Sequence, residues 1–402
     1  MKIPMSSPDI DKTDIEAVLA VLRTPYLSIG PQIKAFEQAF ASYVGVAHAI
    51  AVSSGTAGLH LAIVAAGVTD GDLVITTPFS FVASANVMLY ERAIPVFVDI
   101  DPHSLNLDPA QVADAAQDIL RGGAAAQRWI PPSIRNLEAG FRRLKCILPV
   151  HAFGQPADLD PINAVARQHR WAVIEDACEA IGARYKGRQV GRLGCAGVFA
   201  FYPNKQITTG EGGVIVTDDD EWNHLFRSLR NQGRDVFDAW LNHSRLGYNY
   251  RLDEMSAALG AAQMSRIEEL LAKREQVAHW YAVCLEQMEG VTAPFVAPTT
   301  TRSSWFVYVV RFAPELDRNR IMALLQAQGI PSRPYFNPIH LQPFYRQRFG
   351  YAPGDFPITE QVAASTLALP FFSNMSQDQV AAVCEILRQV IVQARREARH
   401  AL

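Results

Sequence analysis

The chain is poor in cysteine, has no long apolar run and carries no block of like charge. Its five cysteines, Cys146, Cys178, Cys195, Cys284 and Cys384, are odd in number and form no C-x-x-C pair. That argues against a disulfide framework and against a zinc site, and they read as small buried hydrophobes. No apolar segment reaches the roughly 20 residues of a membrane helix. The opening stretch, interrupted by Pro4 and Pro8, has no apolar core of a signal peptide. No membrane partner is expected, and the expected location is cytoplasmic. Lys plus Arg number 37 against 40 Asp plus Glu, a net charge of -3, without a basic stripe that would grip a polyanion, so nucleic acid is not an expected partner. There is no internal repeat and no low-complexity segment.

What is present is core. At 402 residues and 49% hydrophobic, the chain exceeds what one core usually organises, so a large and a smaller domain are expected. From about residue 31 to 217 short apolar runs alternate with helical patterns. Strands are expected at 49–52, 73–76, 96–99, 146–150 and 172–174, with helices around 84–92, 109–120 and 161–169. Strands that are apolar throughout, alternating with helices, predict an α/β fold with a mostly parallel sheet covered on both faces. The stretch from Arg121 to Arg143, with five arginines and adjacent Pro131 and Pro132, breaks the rhythm and reads as an excursion. Residues 252–288 read as one or two long connecting helices, and the remainder as an α+β unit. The expected division is a large domain over 1–250 and a small C-terminal domain over 251–402.

One residue stands out chemically. Lys205 lies in a loop between two apolar strands, within Phe199-Ala200-Phe201-Tyr202-Pro203-Asn204-Lys205 and before Thr208-Thr209-Gly210-Glu211-Gly212-Gly213. A lysine held there loses water, which makes its neutral amine available as a nucleophile. The alternative is a loop lysine that pairs with Glu211 and shapes a hairpin. Ser53-Ser54-Gly55-Thr56-Ala57 follows a strand and opens a helix, an arrangement that binds phosphate through free N–H groups and the helix dipole, or that is an ordinary N-cap. The strand Ala172-Val173-Ile174 ends in Glu175 and Asp176, whose side chains alternate across the sheet. Asp176 is the candidate partner for a protonated ring nitrogen, with Asp99 and Glu175 as competitors. In Pro78-Phe79-Ser80-Phe81 an aromatic could stack on a planar ring or belong to the core. Cradle, stacking ring, acid and lysine at one sheet edge are the four groups that pyridoxal 5'-phosphate requires.

These segments resemble the DegT/DnrJ/StrS aminotransferases, pyridoxal-phosphate enzymes of fold type I that aminate nucleotide-linked keto sugars. The likeness spans nearly the whole chain and includes Ser28-Ile29-Gly30-Pro31, Pro149-Val150-His151-Ala152-Phe153-Gly154-Gln155, Glu175-Asp176-Ala177, the Lys205 loop, Gly247-Tyr248-Asn249-Tyr250-Arg251-Leu252 and His340-Leu341-Gln342. The resemblance implies Lys205 as the lysine that binds the cofactor and Asp176 as partner of its ring nitrogen. It also implies Phe81 as the stacking ring, Gly55, Thr56 and Ala57 at the phosphate, and Glu179 on the hydroxyl side. Asn249 and Arg251 would reach the cofactor of the neighbouring subunit, which implies a homodimer with shared sites. The cofactor would cycle through pyridoxamine 5'-phosphate, with an amino acid, expected to be L-glutamate, as donor and a nucleotide-sugar as acceptor. Two departures stand out: Ala200 occupies a position where many members have a phosphate-binding serine, and the 121–143 excursion is long for the family.

A cyclitol aminotransferase would share all these motifs. A dehydratase on the same scaffold usually replaces the lysine with histidine, which Lys205 opposes. A regulatory or sugar-binding protein would not need both the lysine and the acid. Arg333, Tyr335 and His340 are candidates for contacts to a carboxylate or diphosphate, or for loop packing.

Overall fold

The computed structural model describes residues 3–135, 143–235 and 242–400. Its largest sheet is built from β1 (His48–Val52), β2 (Leu73–Thr76), β3 (Ile94–Phe97), β4 (Leu144–Ile147) and β5 (Ala172–Asp176). After a small hairpin, β6 (Arg184–Tyr185) and β7 (Arg188–Gln189), come β8 (Ala196–Ala200) and β9 (Gly213–Thr217). The seven strands of this sheet lie in the order β1-β9-β8-β5-β4-β2-β3. The pairs β2–β3, β2–β4, β4–β5 and β5–β8 are parallel, whereas β9 is antiparallel to both β8 and β1. The sheet is therefore mostly parallel, with β9 running against the rest. Sequence patterning does not reveal that reversal, because a strand buried on both faces is uniformly apolar whichever way it runs.

Both faces are packed. On one, the helix Gly55–Ala65 buries Leu59, Leu61 and Ile63 against Val52, Val198 and Ile215. On the other, the helix Pro31–Val44 contributes Phe36 and Phe40, which meet Phe199 and Phe201 edge to face at 5.0–5.6 Å, a favoured aromatic geometry. That helix is held at its start by Glu254, whose buried carboxylate accepts from the N–H groups of Gly30, Gln32 and Ile33. Three otherwise unpaired donors of the first turn are so satisfied, and the Ser28–Pro31 motif gains a structural reason.

The long helical run is two helices, Glu254–Ser265 and Ile267–Leu285, broken at Arg266. Beyond it, β10 (Val291–Thr292), β11 (Thr300–Arg302), β12 (Tyr308–Phe312) and β13 (Thr366–Leu369) follow. A small antiparallel sheet in the order β10-β12-β13 packs on the helices Ile267–Leu285, Arg318–Ala327 and Gln377–His400 around Tyr281, Leu325, Val383 and Leu387. Strand β11 instead pairs with β6, so the chain crosses back to the larger part. The excursion contains a short helix Gly123–Gln127 and a 3-10 turn Pro132–Ile134, and Ser133 Oγ donates to the Arg348 carbonyl at 2.9 Å. Its residues 136–142 lie outside the described residues.

Candidate active site

Strand directions bring the candidate residues to one edge. Because β8 runs parallel to β5 and returns as antiparallel β9, the 201–212 loop emerges where β5 ends, with Asp176 opposite Val198 and Ala200 opposite Gly213. Strand β1 ends there too, Val52 pairing with Gly213. The start of the following helix touches the sheet so closely that a Cβ at Gly55 would lie 2.7 Å from Ala200 Cβ and 2.8 Å from Cys178 Sγ. Only glycine fits there. Ser54 is the N-cap, and its Oγ accepts the Ala57 N–H at 3.0 Å. Helix geometry leaves the N–H groups of Gly55 and Thr56 without an intrahelical partner, so of the three cradle residues Ala57 is the one whose amide is already engaged.

The Lys205 loop is tightly tied. Thr209 N–H and Thr208 Oγ1 both donate to the Phe201 carbonyl, and Lys205 N–H donates to Tyr202. The lysine side chain is 13% exposed; its Nζ lies 3.7 Å from Glu179 Oε1 and 3.7 Å from the centre of the Phe306 ring. The partner is Glu179, not the Glu211 that a hairpin reading would supply. Burial raises the pKa of Glu179, the nearby Lys205 charge and the Phe153 N–H on Oε2 acting in the opposite direction.

Three acids compete for the ring-facing role, and their hydrogen bonds separate them. Glu175 Oε1 accepts from the N–H groups of Leu193 and Gly194, while its Oε2 accepts from Gly191 N–H and bonds His151 Nε2. Asp99 accepts from Ile100, Ile358 and Thr359 N–H and from the Thr359 hydroxyl, capping the helix Pro357–Ser365. A carboxylate offers about four acceptor positions, so both acids are saturated by the fold. Asp176 accepts the Ser84 hydroxyl on Oδ2 at 2.6 Å and the Cys178 N–H on Oδ1 at 3.1 Å, with the Cys178 thiol against it. It keeps acceptor capacity, and its charge raises the pKa of Glu179, against the effect of Lys205.

Phe81 precedes the helix Ala83–Tyr90, is 63% exposed, and borders a cavity of about 580 Å³ with Phe336, Asn337, Gln342 and Phe344. Tyr335 is on the Glu179 side: burial first, then the Glu179 charge, push its hydroxyl up to about 12. Arg333 lies on the strand-like bridge to Ala368. His340 is buried, with Nε2 on Glu360 and its ring against Phe356, so it packs the loop. Asn249 and Arg251 lie in the segment that runs past the end of β1. They flank Tyr250, whose carbonyl accepts the Ser53 N–H; Arg251 donates to Asn231 and Gln232, and with Asn231, Glu37, Arg227 and Arg230 it lines a cavity of about 960 Å³.

The family model for DegT/DnrJ/EryC1/StrS aminotransferases matches residues 8–388. The chain belongs to that family. It is 40% identical over 395 residues to GDP-perosamine synthase of Caulobacter vibrioides, across 97% of this chain and 99% of that one. It is 36% identical over 403 residues to the spore coat polysaccharide biosynthesis protein SpsC of Bacillus subtilis, across 97% of each. In structure it resembles Helicobacter pylori PseC, an aminotransferase involved in the biosynthesis of pseudoaminic acid, with a TM-score of 0.85 and 27% identity over 98% of this chain and 100% of that one. The protein is a fold type I aminotransferase of the kind that serves amino-sugar biosynthesis, and its family depends on pyridoxal phosphate.

The aminotransferase places two further residues at the site that sequence reading missed. Ser84, bonded to both Asp176 and Ser80, had a faint signal in the Ser80/Ser84 spacing of four. Phe306, beneath the lysine amine, had none, since it is 101 positions away. Among the described residues no helix is long and apolar enough to cross a membrane, and no cluster of His, Cys, Asp and Glu could hold a metal ion.

Proposed function

We propose that this aminotransferase moves an amino group from L-glutamate to the keto group of a nucleotide-linked keto sugar, with pyridoxal phosphate held at the Lys205 edge. The observation that carries the reading is the convergence of Lys205, Asp176 and the Gly55 helix start on one end of β1, β5 and β8. The donor set fits the cofactor: free helix-start amides for a phosphate, an acid with unused acceptor capacity for a ring N–H, an exposed aromatic face, and an amine.

Bound pyridoxal phosphate supplies a carbonyl that captures amines and a ring that withdraws electrons. The amides of Gly55 and Thr56, with the Thr56 hydroxyl and the first turn through Ala57, hold the phosphate. Asp176 keeps the ring nitrogen protonated, and Ser84 fixes the carboxylate in place. Phe81 would offer its exposed aromatic face to the ring. Lys205 Nζ takes the proton from the donor's α-carbon and delivers one to the acceptor carbon in the second half-reaction. Glu179, 3.7 Å away, steadies the ammonium between these transfers.

In this reading the active protein is a cytoplasmic homodimer in which Asn249 or Arg251 reaches the phosphate in the neighbouring subunit. Support comes from exposed Tyr26, Leu27, Ile29 and Leu246, apolar surface of the kind that an interface covers. The division at residues 250 and 251 belongs to the same proposal.

The test is amination of a nucleotide-linked keto sugar with glutamate, followed by mass spectrometry of the sugar product. Amino-sugar is expected from the native chain, with none from Lys205→Ala. Turnover of a keto-cyclitol in place of the nucleotide-sugar would replace the acceptor assignment.

A further inference from the structure

Arg274 lies on the helix Ile267–Leu285, is 2% exposed, and has no carboxylate paired with it among the described residues. A buried guanidinium without a counter-charge is costly, and burial pulls its pKa down to about 10. Its hydrogen bonds show what the fold gains. Nη2 donates at once to the Asn204 carbonyl at 3.2 Å and to the Phe306 carbonyl at 3.1 Å. Nε donates to the Trp305 carbonyl at 3.1 Å, and Nη1 to Ser373 Oγ at 3.3 Å.

Those acceptors surround the reactive amine. Asn204 is the residue whose carbonyl begins the peptide bond to Lys205, and the Phe306 ring is the surface over which Lys205 Nζ sits at 3.7 Å. One nitrogen of Arg274 thus holds both ends of the lysine–ring contact. Trp305 has φ of +51°, a conformation that a bulky residue keeps only when its surroundings impose it, and its carbonyl is held by the same guanidinium. A lysine ammonium in that place has no planar fork and could not serve four acceptors from three segments.

We propose that Arg274 is a positioning residue: its guanidinium fixes the Asn204–Lys205 peptide against the Trp305–Phe306 segment and so aims the Lys205 amine. The inference rests on the reading of Lys205 as the reacting amine. The fork, more than the charge, is required, so Lys fails where Arg works.

The experiment compares the native full-length chain with Arg274→Lys and Arg274→Met by two independent readouts. The first needs no turnover: acetic anhydride labelling of the cofactor-free protein, with the Lys205 rate read by peptide mass spectrometry against the exposed Lys186. The second is glutamate turnover with bound cofactor. A misplacement near 1 Å costs about 100-fold, so kcat is expected to fall at least about tenfold in both variants while KM for glutamate stays within about threefold. The Lys205 labelling rate is expected to change by about fivefold or more against an unchanged Lys186. Labelling and kcat both within about twofold of native in Arg274→Lys would overturn the proposal. So would a fall in melting temperature with all lysines labelled faster together, since that marks a purely structural residue. If the native chain failed to turn over glutamate, the functional reading would fall, and the labelling result would still decide whether Arg274 governs Lys205.

Discussion

Glu175 and Asp176 are neighbours on β5, both buried, and they are different kinds of residue. Glu175 faces the side where the chain from Gly191 to Gly194 turns, and four donors occupy it. Asp176 faces the edge where Lys205, Ser84 and the helix start meet, and part of its acceptor capacity stays open. The same chemical group one residue apart is thus consumed by folding in one case and left for chemistry in the other. Counting the donors already engaged, more than burial or position, separates the two.

The two acids should respond in opposite ways to neutralisation. Asp176→Asn keeps the shape and the Ser84 contact but cannot hold a ring proton; turnover is expected to drop by about 100-fold or more, with a melting temperature near native, in a steady-state assay paired with calorimetry. Glu175→Gln should do the reverse. Its amide nitrogen would face N–H donors that lose their acceptor, costing about 3 kcal/mol or more in urea unfolding, while turnover per folded molecule stays close to native. If Glu175→Gln proved catalytically dead yet stable, the assignment of roles would be inverted.

What could be read from the sequence and what could not is a matter of range. The helix start at Gly55 was legible because an N-cap and a glycine after a strand are local features, and the Lys205 loop because both flanking strands are contiguous with it. Strand alternation announced that Glu175 and Asp176 face opposite ways, but not which of them the fold would saturate. That depends on the turn at residues 191–194, on His151 and on Ser84, groups that only tertiary structure brings together. Phe306 and Arg274 reach Lys205 from the C-terminal third of the chain and leave no pattern near it. The direction of β9 was hidden by its uniform burial, and the bond from the Ala57 N–H to the Ser54 hydroxyl is a detail of cap geometry.

A smaller effect sharpens the cradle side of the comparison. Ala200 abuts Gly55, so Ala200→Ser sets a hydroxyl beside the helix start; cofactor affinity is expected to tighten by about tenfold, one charge-assisted hydrogen bond, in a fluorescence titration. An unchanged affinity would mean that the hydroxyl does not reach the phosphate. The smallest effect belongs to His340, whose pKa is lowered from 6.5 chiefly by burial, with Glu360 opposing. Because the unfolded chain binds the proton more readily, this contribution is complete above pH 6.5 and is lost as pH falls from there toward the lowered folded value. Between pH 7 and 6 it amounts to at most about 0.7 kcal/mol. His340→Gln should flatten that part of the stability profile, and an unaltered slope would show that His340 does not set it.

In the proposed function Lys205 is the amine that engages the cofactor and turns over the donor. The most direct measurement is the near-visible absorption spectrum of the purified protein with pyridoxal phosphate, before and after L-glutamate, with Lys205→Ala alongside. A yellow band that bleaches on glutamate, and is absent or altered in the variant, is the predicted result. A band of the same position and glutamate response in Lys205→Ala, or no band in the native protein, would contradict it.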